Sequence, residues 1–416
     1  MFRFAQGVLF FVFFAASASA AGPARGGERK PVFVVASRAT QQAALADAAG
    51  RVSALAGLGA GGRELAISEV PAERLADLAR HVHENEKRCG GFFAFDTREQ
   101  AEAFVRDDLS ALAVGAQAAS YTVDNQATVT PWLGQVREAD LRATIRSLSG
   151  NWTTRHAASA GGRAASDWIR SAWATLAGNR ADISIEQTAC ANCGQQPSVV
   201  LTWRGNELAQ EVVVLGAHMD SIVAGSGGAT AAAPGADDDA SGVATLTEVL
   251  RVALASGYKP RRTVKFIAYA AEEIGLRGSN AIAAGHRDQG ANVVGVLQLD
   301  MTNYRTFGGP DLRLISDNSN AGLQQFVREL YSSYLGGGAL AEYTCGYGCS
   351  DHASWTAAGY PAAMVFEGGS ADGKYSPYIH SRNDTLANMG NSAANSVPFA
   401  KLGLAFLGEL GKTSAQ

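Results

Sequence analysis

Apolar residues recur along this chain in two rhythms. Unbroken apolar runs such as VVVLGA, TVKFIAYA and VVGVLQL are short and end in polar or acidic residues. Runs of that length fit strands buried on both faces. Between them lie segments with an apolar residue every three or four positions, among them SGVATLTEVLRVALASG, AGLQQFVRELYSSYL and VPFAKLGLAFLGELGK. That spacing predicts amphipathic or buried helices. From about Tyr121 onward, strands and helices alternate to the end of the chain. Residues 121–416 are therefore expected to form one α/β domain, a mixed and mainly parallel sheet sandwiched by helices. Upstream, PVFVVAS, GRELAISEV and GGFFAFD read as strands. PAERLADLARHVHENEK and TREQAEAFVRDDLSALA read as helices, so residues 21–120 form a small α+β unit.

The first 20 residues follow a third pattern. Arg3 gives a positive start, Val8 to Phe14 is uninterruptedly apolar, and Ala18-Ser19-Ala20 has the small-x-small form of a cleavage site. This predicts a secretory signal peptide ending at Ala20. The run is too short for a membrane anchor, which takes roughly 20 apolar residues. The mature protein is expected outside the cell, with no membrane anchor.

Composition adds limits. With 47% hydrophobic and 18% charged residues in 416, the chain can bury a large core, which excludes wholesale disorder. The formal net charge is -4 and no run of like charge stands out, so no nucleic-acid partner is expected. Nothing in the pattern calls for an oligomer, and a monomer is the default. Five cysteines are present, with Cys190/Cys193 and Cys345/Cys349 as close pairs and Cys89 left over. Export favours disulfides, and a four-cysteine zinc site is the competing reading.

The chemistry lies where strands stop. His218 and Asp220 close the EVVVLGA run, Glu272 and Glu273 follow TVKFIAYAA, and Asp300 ends VVGVLQL. Asp237, Asp238 and Asp239 precede a helix, and His380 ends YSPYIH. Ligands in such sheets bind outside the carboxyl ends of the strands. Gathered there, so many acids would repel unless a cation neutralised them. Histidine with carboxylate suits zinc, and the number of ligands suggests two ions with one bridging carboxylate. Alone, HxD, a Glu-Glu pair or three aspartates capping a helix would mean little.

The motifs GAHMDS, PGADDDASG, AYAAEEIGLRGS, LQLDMTNY, CGYGCSDHASW, GYPAAMVFE and IHSRNDTLAN together give residues 121–416 a resemblance to the secreted di-zinc aminopeptidases of peptidase family M28. More narrowly, the chain resembles the bacterial leucyl aminopeptidases of the Vibrio and Aeromonas type. HENEKRCGGFF resembles the propeptides of those enzymes, so residues 21–120 are expected to be a propeptide that aids folding and inhibits a zymogen. The resemblance implies that His218 and Asp300 bind one zinc, Glu273 and His380 the other, and that Asp238 bridges both. It implies a cis peptide between Asp238 and Asp239, Asp220 oriented behind His218, and Glu272 as general base. Asp239 joins Asp220 among the supporting carboxylates. Cys345 and Cys349 would close a loop that presents Tyr347 to the oxyanion, and a local disulfide is expected at Cys190/Cys193. Met301, Ile315, Met364 and Phe366, with Cys345 and Cys349, match an apolar pocket for the first substrate side chain. The implied activity is zinc-dependent release of N-terminal residues, large apolar ones such as Leu preferred, from peptides with a free N-terminus. GGSADGKYSPY departs from the closest pattern by its length and by lacking a phenylalanine. A single-zinc glutaminyl cyclase and a non-catalytic ectodomain of the same fold are the alternatives.

Overall fold

Two sheets organise the molecule, and the sequence rhythms explain why they differ. The computed structural model describes residues 31–48, 51–59, 63–82, 85, 91–111, 121–224, 228–336, 338–345, 348–369 and 375–413. The expected signal peptide, Cys89 and Tyr347 lie outside the described residues.

The first sheet holds β1 (Pro31–Ser37), β2 (Arg51–Gly59), β3 (Arg63–Pro71) and β4 (Phe92–Phe95) in the order β2-β3-β1-β4. All its pairings are antiparallel, with Val34 opposite both Ser68 and Ala94. Helices Arg38–Ala48, Leu75–His81 and Arg98–Ala111 accompany it. The helix Arg38–Ala48 and β2 are not predicted from the sequence, because both fall in an alanine-rich stretch where neither apolar period stands out.

The second sheet has β5 (Ile183–Thr188), β6 (Ser198–Trp203), β7 (Leu208–His218), β8 (Arg262–Tyr269), β9 (Asn292–Asp300), β10 (Leu312–Ile315), β11 (Leu340–Tyr343) and β12 (Ala362–Glu367). Its order is β11-β10-β12-β9-β7-β8-β6-β5. The centre, β12-β9-β7-β8, is parallel; β6 and β5 are antiparallel at one side, and β10 runs against β12 at the other. This is the mixed, helix-covered sheet that the pattern of buried runs predicts. The short edge strands β5 and β11 are not predicted, since each carries too few buried positions to show a period.

The apolar runs are uninterrupted because alternate residues serve opposite faces. Val213 and Leu215 of β7, with Phe266 of β8, enter one core with Val243 and Phe406 from the helices Ala240–Ala255 and Val397–Gly411. Val214 and Ile267 enter the other, with Ile282 and Trp355 from the helices Arg277–Asp288 and His352–Ala357. Each such fully buried side chain contributes about 1.5–3 kcal/mol relative to leaving it exposed.

Residues 31–416 form one compact unit. The small sheet packs on the large one through two mixed clusters. Val34, Leu78 and Phe92 meet Ala270, Ala271 and Ile274 in the first. Val35, Ile67 and Phe93 meet Leu276 and Ala353 in the second. No described helix is long and apolar enough to cross a membrane.

Candidate metal centre

The parallel strands β7, β8 and β9 end side by side, and the sequence places an acid or a histidine at each end. His218 is the last residue of β7 and Asp300 the last of β9, while Glu272 and Glu273 follow β8 by three and four residues. The loop before helix Ala240–Ala255 brings in Asp238 through a cis peptide to Asp239. His380 arrives on a turn where its own φ is 49°. Met301, directly after Asp300, and Ala271, directly before Glu272, also have left-handed backbone. Such conformations cost free energy and concentrate where geometry serves a site.

The side chains converge as two triads that share one residue. His218, Asp238 and Asp300 offer ligand atoms within 4.8 Å of one another, and so do Asp238, Glu273 and His380. His218 Nε2 lies 2.9 Å from Asp238 Oδ1 and 3.8 Å from Asp300 Oδ1. His380 Nε2 lies 3.1 Å from Asp238 Oδ2 and 2.7 Å from Glu273 Oε2. Each oxygen of Asp238 therefore faces a different histidine. Glu272 Oε2 stands 4.0 Å from His218 Nε2 and belongs to neither triad.

Backbone amides fix this arrangement from below. Asp220 sits 3.4 Å from His218 Nδ1 and accepts from the amides of Glu272 (3.0 Å) and Glu273 (3.2 Å). It thus ties the end of β7 to the loop after β8. Asp239 accepts from the amides of His218 (3.2 Å), Gly242 (2.8 Å) and Met301 (3.1 Å), so it caps a helix and links three segments that carry residues of the triads. Only glycine fits at 242, because a Cβ there would stand 2.3 Å from the Leu299 carbonyl oxygen.

Sequence reasoning missed four supporting residues. Asp384 accepts from the amides of Asp237 (2.9 Å) and Asp238 (3.0 Å). Ser350 donates to Asp300 Oδ2 at 2.6 Å, and Asp351 accepts from Gln298 at 3.0 Å. Arg155, 1% exposed, donates to the carbonyls of Met219 (2.8 Å), Leu148 (3.0 Å), Pro234 (2.5 Å) and Gly235 (2.8 Å). It anchors the chain just after His218 and just before Asp237. Asp384 and Ser350 fall inside the quoted motifs, but only the fold reveals their partners; Arg155 carries no local signal. His352 lies apart from both triads, with Nε2 at 3.3 Å from the Asp317 carbonyl.

The electrostatics follow from burial. Burial pushes the Glu272 carboxyl well above its ordinary range against the pull of His218, and Glu273 adds repulsion. Burial and Asp238 raise Glu273 to about 7 despite His380. Burial likewise raises Asp300 to about 6 against the pull of His218, and Asp351 to about 7. Burial alone would lower His380, but Glu273 and Asp238 lift it to about 10. Asp238 is held below the ordinary carboxylate range, because His218 and His380 overcome its burial. A cluster with this excess of buried carboxylate is stabilised by a cation.

Beside the triads lies an apolar patch. Met301, Ile315, Cys349, Met364 and Phe366 pack together, with Cys345, Tyr343 and Tyr375 at the margin. Cys345 and Cys349 are disulfide-bonded, as are Cys190 and Cys193, so a four-cysteine zinc site is not formed. The cavity bounded by His218, Glu272, Asp300, Tyr343, Phe366 and His380 has a volume of only about 20 Å³. The small sheet contacts two segments that adjoin this cavity. Ala94 of β4 donates its amide to the Gly275 carbonyl at 3.2 Å, two residues past Glu273. A Cβ added at Gly348, next to Cys349, would lie 2.7 Å from the Phe93 ring.

Comparison with known proteins agrees with this geometry. Residues 198–403 match the model of peptidase family M28. A probable leucine aminopeptidase of Arthroderma otae is 34% identical over 292 residues, 69% of this chain and 77% of that protein. The crystal structure of LapB from Legionella pneumophila matches with a TM-score of 0.75 at 27% identity, covering 92% of this chain and 99% of that one. The Legionella pneumophila LapA aminopeptidase gives 0.74 at 25% identity over 93% and 99%. Coverage above nine-tenths is more than residues 121–416 could supply, so both matches extend into the small sheet. On this sequence match, with histidines and carboxylates gathered at the strand ends, the chain belongs to peptidase family M28 and is a metallo-aminopeptidase.

Proposed function

We propose that this protein is a secreted aminopeptidase that uses two zinc ions to release N-terminal residues, large apolar ones such as leucine in preference. We further propose that residues 1–20 are its signal peptide and that residues 21–120 are a propeptide which keeps a zymogen inactive. The observation that carries the reading is the bridging position of Asp238, one carboxylate oxygen toward each histidine.

The residues fit zinc. Imidazole and carboxylate are borderline and hard ligands that zinc accepts. Glu273 Oε1 is buried with no hydrogen-bond partner among the described residues, an arrangement a bound cation satisfies. His218 and Asp300 would hold one ion, Glu273 and His380 the other, with Asp238 between them. Zinc there supplies Lewis-acid polarisation of the scissile carbonyl and a nucleophilic water near neutral pH.

The chain's own groups do the rest. Glu272, outside both triads, takes the proton of the attacking water and gives it to the leaving amine. Its elevated proton affinity suits a base that must also act as an acid. Asp220 and Asp239 hold His218 in place through Nδ1 and the backbone amide. Met301, Ile315, Met364 and Phe366, with Cys345 and Cys349, receive the first side chain, and Tyr347 has the role of steadying the oxyanion. The contacts of β4 with Gly275 and Gly348 support the view that the N-terminal segment covers the entrance.

The test compares hydrolysis of leucine p-nitroanilide and its N-acetylated form by the processed protein. Only the free-amine substrate should be cleaved, and a zinc chelator should abolish cleavage. Glu272→Gln should lower kcat by about 10²–10⁴-fold. The unprocessed chain should be nearly inactive until the N-terminal segment is removed. No cleavage by folded, processed and zinc-loaded protein would overturn the reading in favour of a cyclase or a non-catalytic relative.

A further inference from the structure

The larger of the two cavities described is not at the metal centre. It is a cleft of about 260 Å³ between the small sheet's side of the molecule and the helix Arg277–Asp288. We infer that this cleft binds a small aliphatic carboxylate, held by Arg277 and Asn280.

Arg277 lines the cleft and is 4% exposed. Its Nη2 donates to Asp96 Oδ1 and, at 3.3 Å, to the Ala191 carbonyl. Its Nε and Nη1 are buried with no hydrogen-bond partner among the described residues. Asn280, three residues on and also lining the cleft, leaves its Nδ2 donor buried without a partner among the described residues. Positions three apart share one face of a helix, so these donors serve one place. Leaving buried donors unused is costly, and native structures rarely do so. A carboxylate can accept from several donors at once, and a charged acceptor strengthens each bond. The first turn of the helix adds its own preference for an anion.

The other walls define the rest of the ligand. Ala281, Ala284, Ala357 and Phe104 are apolar and mostly small, which suits a short aliphatic tail. Arg287 lines the cleft as well as Asp96 and Asp288, so two guanidinium groups face two carboxylates and leave little net charge to hold a multiply charged anion. Asp96 and Phe104 come from the N-terminal subdomain, whereas Arg277 and Asn280 come from the M28 part. The site therefore exists only while the two are joined, and its ligand would stabilise the joined form by linkage. None of this depends on the catalytic reading.

Calorimetric titration of the unprocessed, zinc-loaded chain tests the inference, with isovalerate, isovaleramide and sulfate as probes. Isovalerate should bind saturably and raise the melting temperature; isovaleramide, which lacks the carboxylate, should not. Ala284→Leu fills the cleft without touching Arg277 and should weaken isovalerate binding at least about 10-fold, as should Asn280→Ala, with the circular dichroism spectrum unchanged. Isovalerate binding that persists in Ala284→Leu would place the carboxylate at the metals and overturn the site. Absence of saturable binding up to about 50 mM would do the same. Sulfate binding as tightly as isovalerate would overturn the assignment of an aliphatic carboxylate.

Discussion

The two sheets of this molecule are held by different means. The eight-stranded sheet has a core of its own on either face, both drawn from residues 121–416. The four-stranded sheet does not. Both buried clusters that contain its strands also contain residues of the M28 part, Ala270, Ala271 and Ile274 in one and Leu276 and Ala353 in the other. A sheet buried on both faces can stand alone, while a small sheet that borrows half its core depends on its neighbour. Much of the dependence is local: Ala270, Ala271, Ile274 and Leu276 lie just before and after Glu272 and Glu273. The same segment that supplies the site's carboxylates is the landing place of the small sheet.

Substitutions can break this contrast. The largest effect is expected beneath the metal centre, in the part that stands alone. Arg155→Met removes donors from four carbonyls and should cost about 3 kcal/mol or more, because each buried acceptor left unpaired is penalised by about 1–3 kcal/mol. Urea unfolding of residues 121–416 should show the loss, with weaker zinc retention, since the anchored loops carry His218 and Asp238. An unchanged midpoint would mean that water or neighbours replace the guanidinium.

A smaller effect is expected at the junction. Gly275 has φ 109°, and a Cβ there would stand 2.7 Å from the Ala94 Cβ. Gly275→Ala should weaken docking of the small sheet by about 1–3 kcal/mol. Faster proteolysis of residues 31–111 in the intact chain, with a smaller loss in the unfolding of residues 121–416 from the strained φ, would bear this out. If both parts lost stability equally, the asymmetry between the sheets would be wrong.

The smallest effect is expected from Asp96→Asn. Asp96 accepts from Arg277 and from Asn192, which ties the subdomain to the M28 part through charge. The Asp96 side chain is 30% exposed, which screens the pair, so the loss should be about 1 kcal/mol or less in docking and should shrink further with salt. A loss as large as that of Gly275→Ala would make the junction chiefly ionic.

The sequence alone determined which residue types stand at strand ends, because an apolar run and the acid that stops it are both local features. That is why His218, Glu272, Glu273 and Asp300 could be picked out, and why Asp238 and His380 joined them once the motifs were taken together. The strands and helices with a clear period were equally legible; β5 and β11 were not, for want of buried positions to mark a rhythm, nor were β2 and the helix Arg38–Ala48, whose alanine-rich sequence shows neither period. Asp220 and Asp239 were expected beside the triads from the resemblance, but only the tertiary structure decided which further groups support them. Arg155 reaches carbonyls about 60 to 80 residues away, and Asp384 meets the amides of Asp237 and Asp238 across some 147 residues. No period or motif encodes such meetings, because they depend on how strand order folds distant loops to one end of a sheet. The same holds for Arg277 and Asn280. Their spacing puts them on one helix face, but only the packing of β4 and the helix after it turns that face into the wall of a cleft.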